Sequence, residues 1–298
     1  MDQAVLSEIT SEKLFHPNNV RATLHLTIRL VVLVTLGFIV VNCSMFSPIG
    51  LICWLLYSFI FGFLGMAGIG HEMLHGRVFH GKKLNSFFFN IFMILTWSNP
   101  GYHRWSHLEH HKYTLLEGDP KSLINSKPTF FQLFQWMTFD LGGFLRRIVI
   151  LVRNAFGIFQ IPGVSIQNKI KNGARLTLLY HSTILILAIS LNFKLILLLT
   201  TPAFTFTIVN KLLAISQHYG VKRAAFEPRD AVRNSRNLSV PRWLGFLYAN
   251  MHYHVEHHLF PSVPYYNLKK VNRLLVRNGE NIECVSFYKF LKELLIVR

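Results

Sequence analysis

Nine histidines, gathered at four places along the chain, have the types and spacing of metal ligands. His71 and His75 stand in HEMLH, His107, His110 and His111 in HLEHH, and His254, His257 and His258 in HVEHH, while His218 stands alone in QHYG. On a helix, residues three and four apart share a face, so each box turns two or three imidazoles toward one point. Nine such nitrogens exceed the needs of one zinc, which takes four ligands and, when catalytic, keeps a position open. Divided between two metals they supply four or five each, with room for oxygen or water. A single HxxxH arises easily by chance, and a lone histidine such as His218 is by itself a packing residue. Two HxxHH boxes in one chain are not so explained, and His218 takes its assignment from them.

The carboxylates nearby have supporting parts. Glu109 and Glu256 fall two residues after the first histidine of their boxes, off the ligand face, where carboxylates commonly orient imidazoles or neighbouring helices. Asp119, in EGDP, suits the same part or a turn ending at Pro120. His103, four residues before His107, reads as a support rather than a ligand. His16, His25, His80, His181 and His252 carry no assignment.

Positioning these boxes requires a particular kind of chain. Of 298 residues 51% are hydrophobic and 26 are phenylalanine, and mean hydropathy is +0.33. Only 15% are charged, against roughly 25% in a soluble domain. This is the composition of a membrane protein, and chemistry on lipid inside a membrane selects an oxygen-activating metal, with two irons as the reading. The net charge of +17 invites a nucleic-acid function, but the basic residues flank long apolar runs, as cytoplasmic charge does in polytopic proteins. Nucleic acid is therefore excluded as a partner. Cys43, Cys53 and Cys284 form no CxxC pair and no disulfide framework. The first 23 residues are polar and no cleavage site follows the first apolar run, so that run reads as a retained anchor.

Four segments approach the ~20 residues that span a bilayer: Leu24 to Cys43, Ile49 to Ile69, Leu176 to Leu191 and Leu195 to Ile215. They group as two hairpins, whose connecting turns hold only Lys194 among the Lys and Arg residues. By the positive-inside rule both turns face outward, and residues 71–175 and 216–298 share the cytoplasmic side. Leu84 to Trp97 is apolar but too short to cross, which predicts an interfacial or re-entrant segment. Phe130 to Phe159 mixes Phe, Leu and Ile with Arg146, Arg147 and Arg153, the pattern of helices lying in the headgroup plane. In the tail, Leu268, Val271 and Leu275 share one helix face, with Lys269, Lys270 and Arg273 off it. The fold class expected is an all-α polytopic membrane protein with four transmembrane helices in two hairpins, a cytoplasmic histidine-rich cap and interfacial helices, forming one domain over 1–298. Gly62, Gly65 and Gly68 recur every three residues and are read as a close-packing face. Trp54, Phe59, Phe61, Phe63 and Phe206 are either tunnel-lining or packing residues. A basic rim of Arg104, Lys112, Arg223, Arg229 and Arg233 suits anionic lipid heads, an acyl carrier or an acidic electron-transfer partner.

HEMLH also matches HExxH, the zinc-protease helix with glutamate as general base, although that reading leaves seven clustered histidines without a role. A metal transporter is a third class, but its ligands belong at mid-membrane rather than at helix ends.

With its boxes HEMLH, HLEHH and HVEHH in this order and apolar segments between them, the chain resembles the membrane fatty acid desaturase and hydroxylase superfamily over roughly Leu51 to Pro264. YHVEHHLFPSVP is the most specific part. The resemblance implies a non-haem diiron centre with all nine histidines as ligands and catalytic residues, His218 being the extra ligand near the fourth span. It also implies O2 as oxidant and a lipid or acyl substrate, and the reaction expected is desaturation of an acyl chain, with hydroxylation or ketone formation on alkyl or isoprenoid chains as the alternative. The chain has neither an HPGG haem motif nor cysteines for an iron–sulfur cluster, so electrons are expected from a separate ferredoxin or b-type cytochrome with its reductase. The membrane is either the bacterial inner membrane or the endoplasmic reticulum.

Overall fold

A computed structural model describes residues 3–121, 127–161, 163–221 and 230–296. They are mostly helical. The first half contains α1 (Gln3–Ser11), α2 (Asn19–Asn42), α3 (Pro48–Gly62), α4 (Ile69–Leu74), α5 (Lys82–Leu95), α6 (Pro100–Tyr113), α7 (Phe130–Met137) and α8 (Leu141–Phe156). The second contains α9 (Val164–Ser190), α10 (Lys194–Leu199), α11 (Ile208–Ser216), α12 (Asp230–Asn234), α13 (Arg242–Leu247), α14 (His254–Leu259), α15 (Leu268–Arg277) and α16 (Phe287–Ile296). A short parallel pair, β1 (Asn237–Ser239) with β2 (Cys284–Ser286), ties the tail to the segment before α13.

Local chemistry sets the helix starts. Asn18 accepts from the Arg21 N–H at the head of α2, and Ser47, followed by Pro48, caps α3. Asn99, followed by Pro100, caps α6, and Asp140 caps α8. Each side-chain oxygen satisfies a donor that the helix leaves free. Asn99 also donates to the Ile170 carbonyl at 2.9 Å. At Gly101 a Cβ would run into the Lys169 carbonyl, so glycine permits the close approach of α6 to α9.

Two helices, α2 at 24 residues and α9 at 27, are long and apolar enough to cross a membrane. Leucine, isoleucine and valine side chains on both stand exposed along their lengths, as lipid-facing residues do. The other two apolar segments are interrupted. The second runs as a helix only through Gly62 and then turns through residues 63–68 before α4 begins. Of the three glycines, Gly62 lies against Asn210 and Gly65 against Thr96, which is close packing, but Gly65 and Gly68 belong to the turn. The fourth segment breaks after α10, where Pro202 sits in a short 3-10 turn and Phe206 takes a positive φ of 52°. Proline supplies no N–H to a helix, and the backbone freed there pairs with the stretch before α8. The Asp140 N–H donates to Phe204 O at 2.8 Å and the Phe206 N–H to Thr138 O at 2.9 Å. Phe204 and Thr205 are buried, so this irregular backbone is covered by protein, the condition for tolerating it at membrane depth.

The amphipathic tail follows its sequence pattern: Leu268, Val271 and Leu275 are buried on α15, while Lys269, Lys270 and Arg273 are exposed. On α8, Leu141, Leu145, Val149, Val152 and Phe156 form an exposed apolar stripe.

Candidate metal centre

The turn at 63–68 and the short helix α4 present His71, with His75 at the C-cap, beside the histidines of α6 and α14. His218 follows α11. All nine candidate histidines come together. His71, His75, His107 and His257 form one group and His110, His218, His254 and His258 a second, the ligand atoms within each lying within 4.8 Å of one another. His111 stands beside both: its Nε2 is 2.9 Å from that of His107 and 3.1 Å from that of His257, and its ring centroid is 4.3 Å from that of His258.

The donor set itself tests whether a metal fits. His110 Nδ1 lies 3.0 Å from both oxygens of Asp119, and His218 Nδ1 lies 2.8 Å from the Asn234 carbonyl oxygen. Burial alone would raise the Asp119 carboxyl, but the bond to His110 and the N–H groups of Lys121 and Leu115 hold it below the usual range. Both partners can only accept, so Nδ1 of each imidazole carries the hydrogen and each Nε2 offers a bare lone pair. Those two Nε2 atoms are 3.2 Å apart, and His254 Nε2 lies 2.9 Å from His218 Nε2. Opposed lone pairs at this distance repel unless a cation lies among them; the cluster fits a metal. Burial, with His110 next, pushes His218 down to about 3, and burial does the same to His75 and His257. At neutral pH these rings are uncharged and free to ligate.

Glu72, the general base of the HExxH reading, is buried and hydrogen-bonds one imidazole, that of His71, while standing close to a second. Its Oε1 lies 3.0 Å from His71 Nδ1 and 3.2 Å from His257 Nδ1. Of the three carboxylates singled out in the sequence, Asp119 does orient a histidine. Glu256 holds the scaffold: it accepts from Asn237 at 2.8 Å and from Asn272 at 2.6 Å, joining α14 to β1 and α15. Among the described residues, Glu109 makes no hydrogen bond or ion pair with any of the nine. Asn237 also accepts from the Val255 N–H at 3.0 Å, fixing the start of α14. Neither Asn237 nor Lys121, whose Nζ lies 2.9 Å from His107 Nδ1, carries any local sequence signal. Burial pushes the Lys121 amine down to about 8.

A cavity of about 480 Å³ opens against both groups, touching His71 and His107 of one and His110, His218 and His254 of the other. Its apolar wall is made by small residues and methionines, Gly62, Gly65, Ala67, Ala203, Ala214 and Met66 among them. Trp54, Phe59, Phe61, Phe63 and Phe206 are absent from that wall. Phe61 and Phe63 are buried in the core, Phe59 stacks against Phe63, Phe206 and Trp243, and Trp54 donates to Leu197 O. Their bulk packs helices, and space is left where side chains are small.

His103 lines the cavity outside both groups, its Nδ1 buried and unpartnered. His181 stacks on Trp97, His25 bonds Tyr265, His252 packs on Gly245, and His16 and His80 are exposed. Of the basic rim, Arg104 donates to Leu74 O and lies over Phe89, so it braces α4, while Lys112 and Arg233 are exposed. Arg223 and Arg229 lie outside the described residues.

Fold and site together define a class: a helical membrane protein built around paired histidine clusters suited to metal. The chain belongs to the fatty acid desaturase family, which it matches over residues 22–283. Local similarity reaches the Delta 8-(E)-sphingolipid desaturase of Kluyveromyces lactis, 38% identical over 50 residues, 17% of this chain and 9% of that protein. The enzyme of the same name from Lachancea kluyveri is 35% identical over 66 residues, 22% of this chain and 12% of that protein. That from Candida albicans is 33% identical over 55 residues, 18% and 9%. The matched stretches therefore cover only a small part of each relative's length.

Proposed function

We propose that the chain is an O2-dependent oxidoreductase that introduces a double bond into the fatty acyl chain of a lipid or of an acyl-CoA or acyl-carrier substrate. The observation that carries this is the pair of four-histidine groups with opposed, uncharged Nε2 atoms opening on one cavity. His71, His75, His107 and His257 would hold one iron, His110, His218, His254 and His258 the other, and His111 stands between them. Bound iron would supply the oxidising power, with O2 and electrons from a separate ferredoxin or b-type cytochrome, that side-chain acid–base chemistry lacks. In balance, two hydrogens leave adjacent carbons, and these with two further electrons and two protons reduce O2 to two waters. The protein's own part is positional. Asp119 and the Asn234 carbonyl fix the tautomers of His110 and His218, Glu72 braces His71, and the small-residue wall admits an alkyl chain beside the clusters.

The chain is further proposed to form one domain over 1–298 with four membrane crossings in two hairpins. The second and fourth crossings are the interrupted segments, and α7, α8 and the tail lie at the interface. The histidine groups then face the cytoplasm, of a bacterial inner membrane or an endoplasmic reticulum. The distribution of Lys and Arg supports this orientation.

Expressed in a host with a compatible reductase, the chain is expected to yield lipids two mass units lighter, and the purified protein about two irons. A gain of sixteen mass units would move the assignment to hydroxylation. Stoichiometric zinc alone, with proteolysis lost in Glu72→Ala, would overturn it.

A further inference from the structure

The cavity beside the histidines does not stand alone. A second, of about 390 Å³, lies next to it, lined by Trp97, Tyr102, Asp140 and Ile150 among others. The two share Ser98, His103, Lys121, Arg146, Arg147 and Lys211 in their walls. Among the described residues, this junction therefore carries four basic side chains, and Asp140 is the one carboxylate in either wall. Asp140 is already engaged by Lys211. Arg147 donates to the uncharged carbonyl of Thr96 and lies over the Phe204 ring at 5.2 Å, and the acid that acts on it is the same Asp140 that Lys211 already engages. Arg146 is exposed and has no acid beside it among the described residues. His103 adds a buried Nδ1 with no partner to the same wall.

Two guanidiniums and two lysine amines, of which Lys121 is turned to His107, gathered around a recess with one carboxylate repel one another, and the repulsion is relieved by an anion. Guanidinium forks match the oxygens of phosphate or carboxylate. Besides the junction residues, the first cavity is lined by Gly62, Met66, Ala67, Ala203 and Ala214 and by five of the nine histidines. A cationic junction shared with a cavity that also has an apolar wall is complementary to an amphiphile with an oxyanion at its head. We infer that Arg146, Arg147 and Lys211 bind the phosphate-type head group of the lipid whose chain enters the cavity beside the histidines. This rests on the proposed function, and it names the substrate class as anionic amphiphiles and the three cations as its specificity determinants.

Binding tests it without turnover, metal reduction or an electron donor. The full chain, purified in neutral detergent, is titrated with dodecyl phosphate, dodecanoate, dodecanol and inorganic phosphate. The readout is tryptophan emission, since Trp97 stands in the wall of the second cavity. Dodecyl phosphate is expected to bind at least tenfold more tightly than dodecanol, and that advantage to fall at least tenfold in Arg146→Gln. Arg146 is exposed, so its replacement leaves the fold intact, which an iron content equal to that of the native chain verifies; Arg147→Gln is the second variant. Dodecanoate matching dodecyl phosphate would keep the site but broaden the head to any oxyanion. Inorganic phosphate competing at the same concentration as dodecyl phosphate would make this a free-anion site and overturn the lipid assignment. Equal affinity for dodecyl phosphate and dodecanol, or native affinity in Arg146→Gln, would overturn the site itself. Should desaturation fail while dodecyl phosphate binds as expected, the reaction is wrong and the head-group site stands.

Discussion

Asp119 decides which nitrogen of His110 is available, since a carboxylate held ionised 3.0 Å from Nδ1 leaves Nε2 bare. Removing it in Asp119→Ala frees the ring to adopt the wrong tautomer and to rotate. A loss of about 10–100-fold in metal affinity is expected, the usual range for such partners, read by competition with a chelator. His218→Ala removes one of four nitrogens from the second group alone, so iron content should fall toward half, and activity further. His103 permits a different test, because it lines the cavity without belonging to either group. Burial, then Lys121 and Arg147, pushes it down to about 3 from an ordinary 6.5. Between those values the unfolded chain binds a proton that the folded one refuses, so its contribution to stability is present above 6.5 and declines as pH falls. The slope is up to ~1.4 kcal/mol per pH unit. The drop in melting temperature from pH 6.5 to 5 is therefore expected to be smaller in His103→Asn than in the native chain. The histidines were legible because each box is written within one helical turn. Asn237 and Lys121 were not, because their partners lie 19 and 14 residues away and no local pattern encodes that meeting.

The helices that carry these residues are set by where they stop. If α3 continued unbroken through the apolar run to Ile69, no turn would lie between it and α4. The turn at 63–68 allows α4 to begin afresh and present His71 and His75. A Cβ at Gly68 would run into the Phe63 carbonyl oxygen, a backbone atom that can yield only if the turn opens. Gly68→Ala is expected to cost roughly 1–3 kcal/mol, as overpacking does, and to lower iron content. Gly81→Ala, whose nearest neighbour would be Leu84 Cβ at 3.8 Å, should stay within about 0.5 kcal/mol of the native chain. Thermal melts and metal analysis of the two variants make the comparison. The apolar lengths of these segments were readable from composition, as were the buried and exposed faces of α15. The interruptions were not, because an average over twenty residues absorbs one proline or three glycines. What breaks a helix at Pro202 is only tolerable once residues 138–140 arrive to take up the freed backbone groups.

Across the molecule, the loops after α2 and after α9 meet at one end. Lys194 Nζ bonds to the carbonyl oxygens of Val41 at 2.5 Å and Cys43 at 3.0 Å, and Tyr57 reaches Leu198 O at 2.9 Å. His71 follows the C-terminal end of α3 and His218 that of α11, so in the proposed four-crossing arrangement the histidine groups lie at the other end of these segments. The positive-inside rule argues for the same proposed arrangement, since Lys194, at the start of α10, is the only Lys or Arg of the two connecting turns. The free cysteines report on it directly. Cys43 lies at the loop end and Cys284, exposed on β2, lies with the tail that carries α14 and α15. Two variants each keep one of them, Cys53→Ser with Cys284→Ser and Cys43→Ser with Cys53→Ser. With the chain expressed in the inner membrane of a bacterial host, a membrane-impermeant thiol reagent applied to intact cells should label the first and leave the second unlabelled until the membrane is opened. Labelling of both from outside would put the loops and the tail on one side of the bilayer. The cationic junction at Arg146 and Arg147 would then face away from the cytoplasm, along with the paired histidines, and no cytoplasmic electron donor could reach them.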